Sequence, residues 1–148
     1  MKVEIIEPEG TRFDPGECDT IFVNAGMTHP LPMWLDRLRD GGRMVLPLTT
    51  PSEAGRGRGV MMKISRSGDR FAAEPIGGVG IFSAIGLRDA TLEEPIKAAV
   101  QGNKLTGARS VRRGAHEPAD TCILHAEGAC LSSAEIHGAS DSKSQDAQ

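Results

Sequence analysis

Two groups of residues have side chains and spacings that suit chemistry. The first is Cys122, His125 and Cys130, a C-x2-H-x4-C arrangement with His116 and His137 nearby. Thiolate and imidazole are the ligands that zinc prefers. The second is "NAGMTH", Asn24 to His29, in which small residues are followed by a hydroxyl and an imidazole. Small side chains let a ligand approach the backbone, and a histidine can take or give a proton near neutral pH. A third stretch, "GRGRG" from Gly55 to Gly59, copies a glycine-rich cofactor loop.

Each group depends on the element that carries it. The spacing around Cys122 fits no pair-of-pairs zinc pattern. "CILHA" is also an apolar run, and an extended chain sends residues three apart to opposite faces. The expectation is therefore that no metal centre forms, with a metal-binding module through these residues as a minor alternative. "GRGRG" precedes "VMMKIS", which has the composition of a strand. A cofactor loop needs a helix there, whose amides face the ligand, so a surface loop is expected.

"NAGMTH" is better placed. "TIFVN", Thr20–Asn24, is apolar in consecutive positions, as in a strand covered on both faces. Pro32 suits the first turn of a helix from Pro32 to about Arg39. Asp40-Gly41-Gly42 tolerates a left-handed stop, and "RMVLPL", Arg43–Leu48, reads as a second buried strand. Strand, helix and strand make a βαβ unit, and ligands bind outside the carboxyl ends of such strands. Asn24 to His29 and Leu48 to Thr50 occupy those ends.

Elsewhere, "KVEIIE" predicts a strand at Lys2–Glu7, and Val60–Arg66 with Phe71–Pro75 predict a hairpin closed by Ser-Gly-Asp. "TLEEPIKAAV" predicts a helix with Thr91 as N-cap and acidic residues in its first turn. "ARSVR", "CILHA" and "ACLS" predict short strands. The ending "AEIHGASDSKSQDAQ" has little to bury and is expected to be disordered.

The chain has 148 residues and a formal charge of −3, with acidic and basic residues interleaved. That balance gives no broad attraction to nucleic acid or to an anionic membrane. No window approaches the roughly 18 to 20 apolar residues of a membrane span, and the amino terminus lacks a signal-peptide core. Three cysteines and no export signal point to reduced thiols and a cytoplasmic address.

Two motifs carry a family resemblance. Asp19-Thr20-Ile21-Phe22-Val23 matches a D-x-I-x-V strand, and Leu38 to Pro47 matches L-x-x-G-G-R-x-x-x-P. With "MMKISRSGDRFAAEPIGGVGIFSAIGLRD" after them, they resemble the C-terminal half of protein-L-isoaspartate O-methyltransferases, class I enzymes dependent on S-adenosylmethionine. The resemblance implies an α/β fold, a partial Rossmann-like methyltransferase domain from its third strand onward, over residues 1–102. A C-terminal extension with short strands would span 103–133, and the tail 134–148. The implied activity is methyl transfer from S-adenosylmethionine to a carboxylate, possible acceptors including an isoaspartyl protein.

On this resemblance Glu9, Gly10, Asn24, Ala25 and Gly26 would hold the cofactor, and Thr28 and His29 would face the acceptor. Methylating a carboxylate removes no proton, so His29 is expected to have a polar turn role rather than to act as a base. The family's glycine-rich loop and its first two strands have no counterpart in these residues. With the family order 3-2-1-4-5-7-6, "VEIIE" would lack a neighbour and "TIFVN" would have an open edge. A partner chain supplying the missing half, or a catalytically silent remnant, are the resulting expectations.

Overall fold

The computed structural model describes residues 2–6, 13–52 and 55–136. Along these the chain forms β1 (Cys18–Phe22), α1 (Pro32–Arg37), β2 (Leu38–Thr49), β3 (Gly57–Ser67), β4 (Arg70–Ile81), α2 (Glu93–Gln101), β5 (Ser110–Arg112), β6 (Cys122–Leu124) and β7 (Cys130–Ser132). Short 3-10 turns lie at Ala90–Leu92 and Leu105–Gly107. The strands join one seven-stranded sheet in the order β1-β2-β3-β4-β5-β7-β6.

This arrangement corrects the expected partial Rossmann-like fold. Only β1 and β2 pair in parallel, and the remaining ladders are antiparallel. The reason is connection length. Parallel neighbours need a crossover of a dozen or more residues, usually a helix, whereas a tight turn can only return the chain antiparallel. β3 and β4 are joined through Gly68 and Asp69, with Gly68 at φ +62. β3 therefore lies directly beside β2, not in the 7-6 order of the family. Among the described residues two short α-helices accompany this sheet, too few to flank it on both faces.

The strand expected at Lys2–Glu7 does not form over residues 2–6, where Val3 and Ile5 are 77% and 88% exposed. Glu7 lies outside the described residues. β1 is an edge strand with no fully buried residue, so it is not covered on both faces as its apolar run suggested, and Phe22 is 64% exposed. β2 is the enclosed strand. Met44, Leu46 and Leu48 are fully buried on it, each contributing about 1.5–3 kcal/mol by burial. Met62 and Ile64 on β3 and Phe71 and Ala73 on β4 alternate with more exposed residues and add to the same core.

Local chemistry explains the ends of the elements. Pro32 starts α1, which buries Trp34 and Leu35. Gly41 takes φ +83 and turns the chain into the paired part of β2. There Asp40 accepts from the Gly68 N–H at 2.8 Å, and Arg66 donates to the Leu38 carbonyl at 2.6 Å, so the turn of β3–β4 is tied to the end of α1. The expected Thr91 cap is not seen: Asp89 caps the 3-10 turn that leads into α2, its carboxylate accepting from the Thr91 N–H and hydroxyl, and Leu92 stands at the N-cap of α2 itself. Ile96 and Ala99 turn inward, and α2 touches β2 and β6. β5 extends the sheet from β4 through Phe71↔Val111 and Ala72↔Ser110. No helix among the described residues is long and apolar enough to cross a membrane.

Candidate functional site

The crevice outside β1 and β2 is built by the chain leaving β1. Met27 and Leu48 form a parallel bridge, and Gly26 forms another with Ser83. Gly26 donates to the Phe82 carbonyl and accepts from the Ala84 N–H, so its backbone is held on both sides. A Cβ at Gly26 would fall on Thr49 Oγ1. The smallness of Gly26 is thus used to bring two strands together. Asn24 is exposed and Ala25 half-buried, so these two remain reachable at the open edge.

Arg88 closes the crevice. Its guanidinium donates to the Gly26 carbonyl at 3.0 Å and the Thr49 carbonyl at 2.7 Å, and grips the Glu93 carboxylate through both oxygens at 2.8 and 2.6 Å. The side chain is 9% exposed. A bidentate, half-enclosed pair of this kind fixes orientation as well as charge. Arg88 had no signal in the sequence beyond standing ahead of a helix with an acidic first turn.

Thr28 and His29, which the resemblance would place facing the acceptor, lie side by side at the end of this corner. Thr28 is buried, its hydroxyl oxygen accepts from the Asp89 N–H at 3.0 Å, and it shares a 2.8 Å hydrogen bond with His29 Nδ1. Burial lowers the His29 pKa below the usual histidine range; the Asp89 charge opposes this and Arg88 reinforces it. His29, with Asp89, Glu127 and Gly128, borders a cleft of about 480 Å³. A second cleft of about 640 Å³ shares Asp89, Glu127 and Gly128 and continues to His116 and His125. Glu9 and Gly10, the other implied cofactor residues, lie outside the described residues.

"GRGRG" is not a loop throughout, since Gly57 to Gly59 belong to β3. Gly57 and Gly59 lie so close to the Thr50 and Leu48 carbonyls that a Cβ would collide with backbone. The expected strand does follow them, and Val60 onward continues β3.

The cysteines and histidines converge where an ideal strand would have separated them. In the β6–β7 ladder Cys122 pairs with Ser132 and Leu124 with Leu131, so β6 spends one extra residue against β7. That bulge shifts the alternation of faces by one, and His125 follows as the chain leaves the strand. His116 arrives from the loop after β5, and Cys130 begins β7. One ligand atom from each of His116, Cys122, His125 and Cys130 lies within 4.8 Å of all the others. Cys122 Sγ is 3.5 Å from His116 Nε2, and the two imidazoles meet edge to face with centroids 4.7 Å apart. His137 lies outside the described residues.

Burial alone would raise the Cys122 thiol, but hydrogen bonds from the Ala119 N–H and from His116, Cys130 and His125 outweigh it and lower its pKa. Burial pushes the Cys130 thiol up, and the neighbouring Cys122 adds to the rise. His116 is raised, chiefly by its bond to the Gly114 carbonyl.

Compared with known proteins, the chain matches no family model and no curated protein sequence.

Proposed function

We propose that this chain supplies the acceptor side of an S-adenosylmethionine-dependent carboxylate methyltransferase of the isoaspartyl type, acting in the cytoplasm with a polypeptide segment that contributes the glycine-rich cofactor loop. The observation that carries this reading is the parallel β1/β2 pair with β1 left at the edge of the sheet. Parallel strands are ordinarily covered on both sides and flanked by neighbours. Here β1 has one neighbour and exposes Phe22. The motif-bearing strand thus has a free side for pairing with the strand that would hold the cofactor loop.

The residues divide the work accordingly. Asn24 and Ala25 are the ones a donor can reach; Gly26 is enclosed by Thr49, Ser83 and Arg88 and serves to close the corner. The donor would supply an electrophilic methyl group. A carboxylate oxygen attacks the methyl carbon as the carbon–sulfur bond breaks, leaving a methyl ester and S-adenosylhomocysteine. No proton moves, so the protein's task is in-line positioning. A His29 held neutral beside Thr28 fits a hydrogen-bonding part in placing the acceptor.

Titration calorimetry with S-adenosylhomocysteine tests the proposal. The expected result is little heat from the chain alone. Micromolar binding, with methyl transfer to an isoaspartyl peptide, is expected once the cofactor-loop half of an isoaspartyl methyltransferase is added. A folded chain that gives neither signal in either setting would favour a catalytically silent remnant.

A further inference from the structure

We propose that His116, Cys122, His125 and Cys130 bind one zinc-class divalent cation in a closed four-ligand site that fastens the 113–121 loop to the β6–β7 hairpin. The inference is independent of methyl transfer.

Size comes first. Tetrahedral zinc, with bonds of about 2.3 Å to sulfur and about 2.0–2.1 Å to nitrogen, sets sulfur and nitrogen ligands roughly 3.5 Å apart. Cys122 Sγ and His116 Nε2 stand at 3.5 Å, and the largest separation in the group is 4.8 Å. Side-chain shifts of about 1 Å would close the set around an ion of that bond length.

The surroundings are those of a ligand set. A carbonyl oxygen can only accept, so the 3.0 Å contact between His116 Nδ1 and the Gly114 carbonyl requires the proton on Nδ1. That leaves Nε2, which faces Cys122, as the nitrogen that can give up its proton to a metal, the orientation a second-shell hydrogen bond gives a metal-bound histidine. The Ala119 N–H donates to Cys122 Sγ at 3.3 Å, a bond that favours thiolate. The ladder supports the same conclusion. A bulge in a three-residue strand gives up pairing, and its product here is the turn that brings His125 to the side of Cys122.

Ligand chemistry selects the ion. Two thiolates and two imidazoles suit a borderline-soft, redox-inert cation and disfavour magnesium or calcium, which take oxygen. Four protein ligands fill a tetrahedron, so the site is structural rather than one that activates water. Its effect is mechanical: the loop carrying His116 and the turn carrying His125 both line the cleft that continues towards His29.

The test uses the full chain, purified and kept reduced under anaerobic conditions. Elemental analysis after zinc loading and gel filtration is expected to return one zinc per chain. Cobalt substitution is expected to give the visible bands of a tetrahedral site with sulfur-to-metal charge transfer. His125→Asn changes an exposed side chain and should leave the fold intact, while weakening zinc by more than the roughly 10–100-fold that loss of an outer-shell partner costs. Cys122→Ser should lower the charge-transfer intensity. A reduced, folded chain that retains no stoichiometric zinc, or a cobalt spectrum without charge transfer, overturns the proposal. So does unchanged zinc affinity in both variants, or a Cys122–Cys130 disulfide that persists under reductant and blocks loading.

Discussion

Single side chains at the β1–β2 crevice do mostly packing work, and this can be measured. A methyl group at Gly26 would occupy the space of Thr49 Oγ1 while the Gly26 backbone is held by Phe82 and Ala84. Gly26→Ala should therefore destabilise by about 1–3 kcal/mol through overpacking. Adding Thr49→Ala should recover part of that loss, a non-additivity that urea titration of the two singles and the double would reveal. Arg88→Leu should cost about 3–5 kcal/mol, because loss of the buried fork leaves the Glu93 carboxylate without its partner and takes the guanidinium from the Thr49 and Gly26 carbonyls, of which Gly26 keeps the Ala84 N–H. The lower end is expected, since Glu93 keeps some solvent contact. His29 bears on pH. Its folded pKa lies below the unfolded value, so the unfolded chain takes up a proton that the folded chain resists, and stability falls as pH drops through the ordinary histidine range. His29→Gln should flatten that part of the stability–pH curve, and NMR titration of the ring should report the lowered value directly.

At the scale of elements, the two ends of the sheet differ in how they meet solvent. β6 at one edge is three residues long and bulged, both ways in which edges avoid pairing with other chains. β1 at the other edge is five residues long, pairs with β2 in continuous register from Thr20 to Phe22 after a shift beyond Cys18, and exposes Phe22. Concentration-dependent association is expected of the isolated chain by sedimentation equilibrium. Phe22→Lys should weaken it about tenfold, equivalent to about 1.4 kcal/mol. Much of this was readable in advance. Pro32 marked α1, Ser67-Gly68-Asp69 marked the β3–β4 turn, and the runs around Ser110, Cys122 and Cys130 marked the short strands. What could not be read was which strand pairs with which, because register and order depend on contacts far apart in sequence. The same gap hid the Cys/His cluster. Alternation correctly sends residues three apart to opposite faces, and only the extra residue in the β6 ladder reverses that result for Cys122 and His125. The glycines of β3 were hidden likewise, since their closeness to Leu48 and Thr50 is a cross-strand fact.

Over the whole molecule the sheet is two unequal pieces held by a narrow seam. β2, β3 and β4 share long ladders, whereas β5 meets β4 through Phe71↔Val111 and Ala72↔Ser110, with the Ala73 N–H donating to the Arg109 carbonyl just beyond. Arg113 reinforces the seam. It donates to the Gly128 carbonyl at 2.6 Å, forms a 2.8 Å ion pair with Asp36 on α1, and lies 5.4 Å from the centre of the Phe71 ring, which Arg66 also approaches at 5.5 Å. Buried Leu124 and Leu131 join the common core, so the smaller piece is anchored by side chains more than by backbone pairing. Regions with short ladders and exposed backbone open first in native-state hydrogen exchange. The amides of β6, β7 and the 113–121 loop should thus exchange before those of β3 and β4 without added metal. Arg113→Ala should widen the difference by a further 1–2 kcal/mol or so, the scale of a lost charge-assisted hydrogen bond with its ring contact. Binding to the folded state alone stabilises whatever must unfold to release the ligand. Saturating zinc should then slow exchange in β6, β7 and the loop while leaving β3 and β4 nearly unchanged. Equal slowing across the sheet would mean that the smaller piece does not open separately, and that the seam at Phe71 and Ala72 couples both pieces into one cooperative unit.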